Sequence, residues 1–492
     1  MSEYLVQYTT LKAIADTVRA KKGTTDPIAL TDLATEIESI QSGGGSGSNK
    51  LALVVGAQSA DNLYDIAASD LEGVTVLWDY AFYQKSGLRS IELPTNCTSI
   101  GNYAFSNCES LTSVDIPNAT SIGNYAFSNC RSLPSVDIPN ATSIGYSAFR
   151  SCRSLTSVDI PNATSIGNST FQSCEALPSV DMPNVTSIGN NAFQYCSVLA
   201  AVSIPNVTNI GNSAFDNCYA LTSVDIPQVN VIGMQTFSYC TGLASASMPN
   251  ATSIGYSAFS GCKSLTSVDM PKVTSIGDGA FDNCYALTSV DIPNVESIGN
   301  YAFRNCTALT SADMPNVTSI GNSAFQGCDL TSVDIPNVTS ISNSAFQSCE
   351  ALTSVDIPNV TSIGNSAFSS CRSLTSVLMP NVTSIGNSAF SNCDLTSVDI
   401  PNVTSIGNYA FESCDFTSIT IPSTCTSIGT YALFTTDKCT FIFEGTTPPS
   451  IQTTTFLTSY INKIIVPVGC GETYKTATNW SSFADYIEEA TE

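Results

Sequence analysis

A cysteine returns every 22 residues through most of this chain, at positions 108, 130, 152, 174, 196, 218, 240, 262, 284, 306 and 328. A fixed period of that length admits few folds. One repeat is too short to bury its own apolar side, so it must be shielded by the repeats before and after it. The series continues at Cys349, Cys371, Cys393 and Cys414. After Cys328, Cys393 and Cys414 one residue is missing before the next apolar position, which marks a tolerant outer corner of the coil.

Inside one repeat, Leu111, Val114 and Ile116 have the spacing of a short strand with alternate residues inward. Pro117 ends it, because proline has no N–H to donate into a ladder. A second apolar set follows, Ala119 (Val in most later repeats), Ile122, Ala126 and Phe127, and then Cys130. The expected order is a strand, a second short extended segment at Ile122, a turn at Gly123 that needs a permissive backbone, and a short helical turn over 124–130. The expected fold class is a repeat solenoid of short parallel strands with a short helical turn in each 22-residue repeat. Fifteen turns at a strand spacing of about 4.8 Å imply a rod on the order of 70 Å long.

The string I-P-x-x-V-x-x-I-G-x-x-A-F-x-x-C resembles the BspA-like (Treponema pallidum type) leucine-rich-repeat family over roughly residues 71 to 445. Commoner leucine-rich repeats carry Asn or Cys just after the strand; here that column is Ala119, Val185 or Val207, so an ordinary Asn-ladder horseshoe is not expected. The resemblance implies a binding role, that of a bacterial surface adhesin.

The organisation expected from the sequence is a helical attachment segment (1–42), a Gly/Ser linker (43–50), an N-terminal cap with degenerate first repeats (51–107), the leucine-rich-repeat solenoid (108–435) and a C-terminal cap (436–492). In the first cap Trp78 and Asp79 take the Gly-Asn positions of the repeat. Leu11, Ile14, Ala15 and Val18 fall at i, i+3, i+4 and i+7, which predicts an amphipathic helix closed by Gly23; a second short helix follows Pro27. The segment resembles the N-terminal pieces of phage and prophage tail-fibre or receptor-binding proteins, which implies attachment to a tail or baseplate through residues 1–42.

With 17 basic and 41 acidic residues the formal charge is −24, which repels phosphate backbones and anionic lipid surfaces, so no nucleic acid partner is expected. No apolar run is long enough to insert in a membrane, and Lys12, Asp16 and Arg19 interrupt any export signal at the start. The expected location is therefore a virion tail, made in a host cytoplasm, with a bacterial cell surface as the alternative.

Histidine is absent, which removes Ser-His-Asp and Cys-His nucleophiles and the usual general base near neutral pH. Two carboxylates suffice for a glycosidase, so a tail-associated glycan hydrolase stands as a second alternative. Asp115, Asp137, Asp159 and Asp181 nevertheless recur as a column, and a catalytic pair should break the pattern; no enzyme is expected. Alternation with Val114 and Ile116 puts this Asp row on the exposed strand face, first as a solvated face that resists aggregation and second as a Ca²⁺ site. No other cofactor is expected. Fifteen of the 19 cysteines share one column and read as buried free thiols acting as small hydrophobes. Asn-x-Ser/Thr sequons follow from the Pro-Asn turn, and the Thr and Ser ladders suit extended backbone better than an ice-binding face.

Function should lie where the repeats differ, and most exchange falls around the Cys. Tyr195, Tyr219 and Tyr239, with Met234 in place of the usual Asn, form the candidate ligand-binding set. The expected function is a tail-fibre or receptor-binding protein whose solenoid, in several copies or as a homo-oligomer, recognises a bacterial envelope glycan or surface protein. A BspA-like adhesin is the alternative.

Overall fold

The structure is a computed structural model that describes residues 63–71 and 73–491. The attachment segment and linker expected over 1–50 lie outside the described residues. The chain divides into two compact units, one ending at Asn206 and the other running from Val207.

In the first unit each repeat lays down two short strands, as in Ser113–Asp115 and Ser121–Ile122, then Ser135–Asp137 and Ser143–Ile144. All pairings are parallel, and from Ser99 onward they keep the 22-residue register, while those of the first strands are offset by one to three residues. Ser99, Ser121, Ser143, Ser165 and Ser187 stand side by side, and Asp137 pairs with Asp159. Every residue therefore rests beside its own copy, and a column of the alignment is a ladder in space. Leu111, Ile116, Ala119, Ile122, Ala126, Phe127 and Cys130 are buried, which confirms the solenoid core expected from the spacing.

The third side of each turn differs in detail from a helical turn. Ala126, Ser128 and Cys130 N–H groups donate to Gly123, Tyr125 and Phe127 carbonyls, three residues back. The alternate N–H groups, of Tyr125, Phe127 and Asn129, donate to Tyr146, Ala148 and Arg150 of the next turn. That alternation requires left-handed backbone at Tyr125 (φ 56) and Asn129 (φ 61), and the same two columns recur through both units. A helix would point every N–H along one axis and leave no donor for the neighbouring turn.

Gly123, expected to supply a permissive turn, has no left-handed φ. Its missing side chain serves close packing instead, since a Cβ there would lie 2.6 Å from the Asn102 nitrogen and the Gly101 carbonyl carbon. Gly123→Ala is therefore expected to destabilise by about 1–3 kcal/mol through overpacking, read as a lowered urea midpoint. Ser342 occupies the same column naturally. Its hydroxyl donates to the Ile320 carbonyl at 2.6 Å, but the Asn343 N–H stretches to 3.2 Å from Asn322 Oδ1, against 2.8 Å for the next bond of that ladder, from Asn365 N–H to Asn343 Oδ1. Ser342→Gly should accordingly raise the midpoint.

The second unit repeats the architecture, with Asp291, Asp313, Asp334 and Asp356 paired in series. The deletion after Cys328 is absorbed at the outer corner, with Leu330 still buried, but Ser311–Asp313 and Ser332–Asp334 then pair only at Asp313 and Asp334. This unit closes on a parallel four-stranded sheet, Ser418–Ile421, Cys439–Phe443, Ile461–Val466 and Ile487–Glu489. Buried Trp480 and Tyr474 pack against Phe443, the indole N–H donating to the Pro449 carbonyl at 2.9 Å and the phenol to the Gly445 carbonyl at 2.7 Å. These two bonds let large amphipathic rings seal the end of the core without an orphaned donor.

Candidate ligand-binding surface

Because the inward columns are committed to packing, only outward positions can meet a ligand. The sequence-derived candidates are indeed exposed. Tyr195 lies in the first unit, while Tyr219, Tyr239 and Met234 lie in the second. They do not share a column: Tyr239 precedes its Cys, as Tyr195 does, whereas Tyr219 follows Cys218. Tyr219 donates its hydroxyl to Asn217 Oδ1 at 2.9 Å. The ring of Tyr239 lies over Gly261, where an added Cβ would come within 2.8 Å of ring atom Cδ1. Met234 donates its N–H to Asn212 Oδ1 but has no amide oxygen to offer the next turn.

A denser aromatic cluster, missed from the sequence, occupies the start of the first unit. Tyr80 stacks on Tyr103 at 4.9 Å with planes 3° apart, and Tyr103 on Tyr125 at 4.7 Å and 10°. Tyr146 meets Tyr125 edge-on at 5.0 Å, and Tyr83 meets Tyr80 edge-on at 5.5 Å. The neighbouring phenols of Tyr125 and Tyr146 interact, which raises the Tyr125 pKa and lowers that of Tyr146. The legible signal was the string GNYAF in two successive repeats, at 101–105 and 123–127.

Backbone geometry is shared with the repeats that carry small residues in these columns. Tyr80 (φ 64), Tyr103 (φ 56), Tyr125 (φ 56), Tyr195 (φ 62) and Tyr239 (φ 54) all hold left-handed conformations. Most repeats place Ser, Asn or Gly in these two columns. The left-handed penalty, on the order of 1–2 kcal/mol, arises at Cβ and is shared by Ser, so the backbone does not call for the tyrosines here. What they present is a row of stacked ring edges and phenol hydroxyls, which suits recognition by combined van der Waals contact and hydrogen bonding.

The Asp row sits where expected, with Asp115, Asp137, Asp159 and Asp181 exposed on strand faces. Among the described residues no group of three or more His, Cys, Asp or Glu side chains is arranged to hold a metal ion. The cysteine column is buried, and its thiols do more than fill space. Cys130 Sγ donates to the Phe105 carbonyl and Cys152 Sγ to that of Phe127, each at 3.1 Å. The Phe127 carbonyl also accepts the N–H of Cys130, so both of its lone pairs are satisfied inside the core.

A second exposed feature belongs to the second unit. A trench of 710 Å³ runs between the Asn and Thr ladders, lined by Asn294, Asn316 and Thr318, with Lys272 and Glu296 replacing the usual Asn and Thr. Lys272 Nζ donates to Asn250 Oδ1 at 2.6 Å.

The family model for the BspA type leucine rich repeat region matches residues 75–196, 164–288, 274–394 and 361–482, which together cover most of the 492-residue chain. No curated protein sequence matches it significantly. Among solved structures, a leucine-rich repeat protein from Bacteroides ovatus is similar, with 27% identity over 64% of this chain and 78% of its own, at a TM-score of 0.50. A leucine rich cell surface protein from Faecalibacterium prausnitzii shares 29% identity over 65% of this chain and 88% of its own, at a TM-score of 0.39. The leucine rich repeat protein of T. pallidum shares 30% identity over 32% of this chain and 76% of its own, at a TM-score of 0.30.

Proposed function

The chain belongs to the BspA type leucine rich repeat family, and from that premise we propose that it is a bacterial surface adhesin, attaching cells to a partner through the outward columns of its repeats. Support comes from one observation above the others: tyrosines of consecutive turns stack on the outer surface, in columns that small residues fill in most other repeats. Leucine-rich-repeat solenoids are binding scaffolds in general, and no enzymatic family is indicated for this chain. The tail-fibre reading rests on residues 1–42, outside the described residues, and it has no support from the family model or the solved relatives. Among the described residues no helix is long and apolar enough to cross a membrane.

The test exploits the repeat itself. Tyr80→Ser, Tyr103→Ser and Tyr125→Ser combined restore the residue type that other repeats carry, so the fold should hold. Attachment of the labelled protein to intact bacterial and host cells should nonetheless fall at least about tenfold, as loss of clustered tyrosine contacts implies. Undiminished attachment by both this variant and the Tyr195, Tyr219, Tyr239→Ala variant would remove the tyrosines from the function.

A further inference from the structure

Next to the tyrosine stack, a groove of 580 Å³ opens at the head of the glycine column. Its floor is the bare backbone of Gly101 and Gly123, which carry no side chains because the preceding turn leaves no room for them. Trp78 holds the glycine position in the first of these turns. Among the described residues it heads the column, so no earlier copy forbids its side chain, and the indole stands 47% exposed at the end of the floor. Along one edge Ser99 and Ser121 hydroxyls share a 3.0 Å hydrogen bond. Along the other, Asp79 accepts the Asn102 N–H at 2.6 Å on Oδ1 and its side-chain amide at 3.1 Å on Oδ2. Each carboxylate oxygen thereby keeps one lone pair, at a fixed orientation, for a further donor.

We propose that this groove binds a neutral, extended oligosaccharide, with one pyranose ring stacked on the Trp78 indole and its successors lying over Gly101 and Gly123. The proposal deepens the adhesin reading and rests on it for the solenoid being a binding surface. The chemistry of the walls selects the ligand. A pyranose has an apolar C–H face that fits an exposed indole, and a rim of hydroxyls that both donate and accept. Asp79 can only accept, so it takes hydroxyl donors and turns away carboxylated or sulfated sugars, as does the −24 charge of the chain. Ser99 and Ser121 can do either. The floor is flat and repeats at the strand spacing of about 4.8 Å, close to the length of one sugar unit, which favours ribbon-like β-1,4 chains over coiled ones.

Those two tryptophans also provide the measurement. Trp480 is buried and bonded to the Pro449 carbonyl, so acrylamide quenching of the intact protein reports on Trp78. Neutral β-1,4 hexasaccharides of glucose, N-acetylglucosamine and mannose serve as probes, with maltohexaose and an oligogalacturonate as contrasts. At least one of the neutral β-1,4 probes should shield Trp78 from acrylamide, and the two contrasts should not. By calorimetry Trp78→Ala should weaken that probe about tenfold, as should Asp79→Ala, while Trp78→Phe keeps most of the affinity. Unchanged quenching with all three probes, or equal affinity in Trp78→Ala, overturns the proposal. Cell attachment is read separately. Shielding of Trp78 by a protein that does not attach to cells upholds the groove and sinks the adhesin reading; attachment without shielding does the reverse.

Discussion

Raising the pH from about 8 to about 11 is expected to unfold the protein, driven by thiols that solvent does not reach in the native state. Burial pushes Cys108, Cys152 and Cys196 from an ordinary 9.0 up to about 12, and Cys130 and Cys174 well above 9.0. In the second unit burial likewise raises Cys240, Cys262, Cys284, Cys306, Cys328, Cys349 and Cys414. The native form then holds protons that the unfolded form has released, so stability falls as pH climbs. The contribution of Cys108, Cys152 and Cys196 is complete below pH 9.0 and is lost progressively up to about 12. One unit above the ordinary value, each thiol has given up about 1 kcal/mol, and the five of the first unit together several times that. A loss of that size rivals the whole stability of a typical domain, about 5–15 kcal/mol.

Urea midpoints taken at half-unit steps of pH would show this as a flat region giving way to a steep decline above pH 9.0. Tyrosine ionisation adds negative charge over part of the same range, so the thiols are identified by the slope of a variant. Cys152→Ala lowers the midpoint at every pH because it leaves a cavity and an under-satisfied Phe127 carbonyl, yet its decline should be shallower by one proton. A midpoint indifferent to pH between about 8 and 10 would mean that the thiols ionise in place, which the burial of the column forbids.

What the sequence disclosed and what it hid divide along a physical line. Anything decided inside one repeat was legible: which residues face in, where Pro117 stops the strand, that the Asp row faces out. Anything decided between repeats was not. Gly123 reads as a flexible turn or as a place where two backbones touch, since both demand a missing Cβ, and only the 2.6 Å approach separates them. Asn-Tyr-Ala-Phe reads as helical because Ala and Phe face one side, while the left-handed φ at Tyr125 shows up in sequence only as a column that mostly admits Ser, Asn and Gly. Variation around the Cys drew the eye to Tyr195, Tyr219 and Tyr239, but single substitutions in different columns do not build a surface. Identical tyrosines in consecutive turns do, and Tyr103 and Tyr125 stack for that reason.

Replacing Phe127 by Ala is expected to cost about 3–5 kcal/mol, with the damage spread beyond its own repeat. Phe105, Phe127 and Phe149 form a continuous stack, at 4.9 Å and 5.2 Å, and all three rings are fully buried. The ring is thus the sidewall of two other rings, and its removal strips dispersion contacts from both neighbours at once. Ile122 and Cys130 of the same repeat are held by strand pairing and by the thiol bond to the Phe105 carbonyl, which limits their collapse into the space. Phe82 ends the described part of this stack, facing only Phe105 at 5.1 Å, so Phe82→Ala should cost less although its ring is equally buried. Stability in stacked repeats is a sum of intrinsic and nearest-neighbour terms, and the difference between the two variants isolates the neighbour term. Urea titration gives the totals. Hydrogen exchange locates them: in Phe127→Ala the amides of Tyr103, Phe105, Tyr125 and Phe127, which all donate to a following turn, should lose protection together. Faster exchange confined to 123–130, with Phe105 unaffected, would show that each turn holds itself and that the stacking of copies contributes nothing.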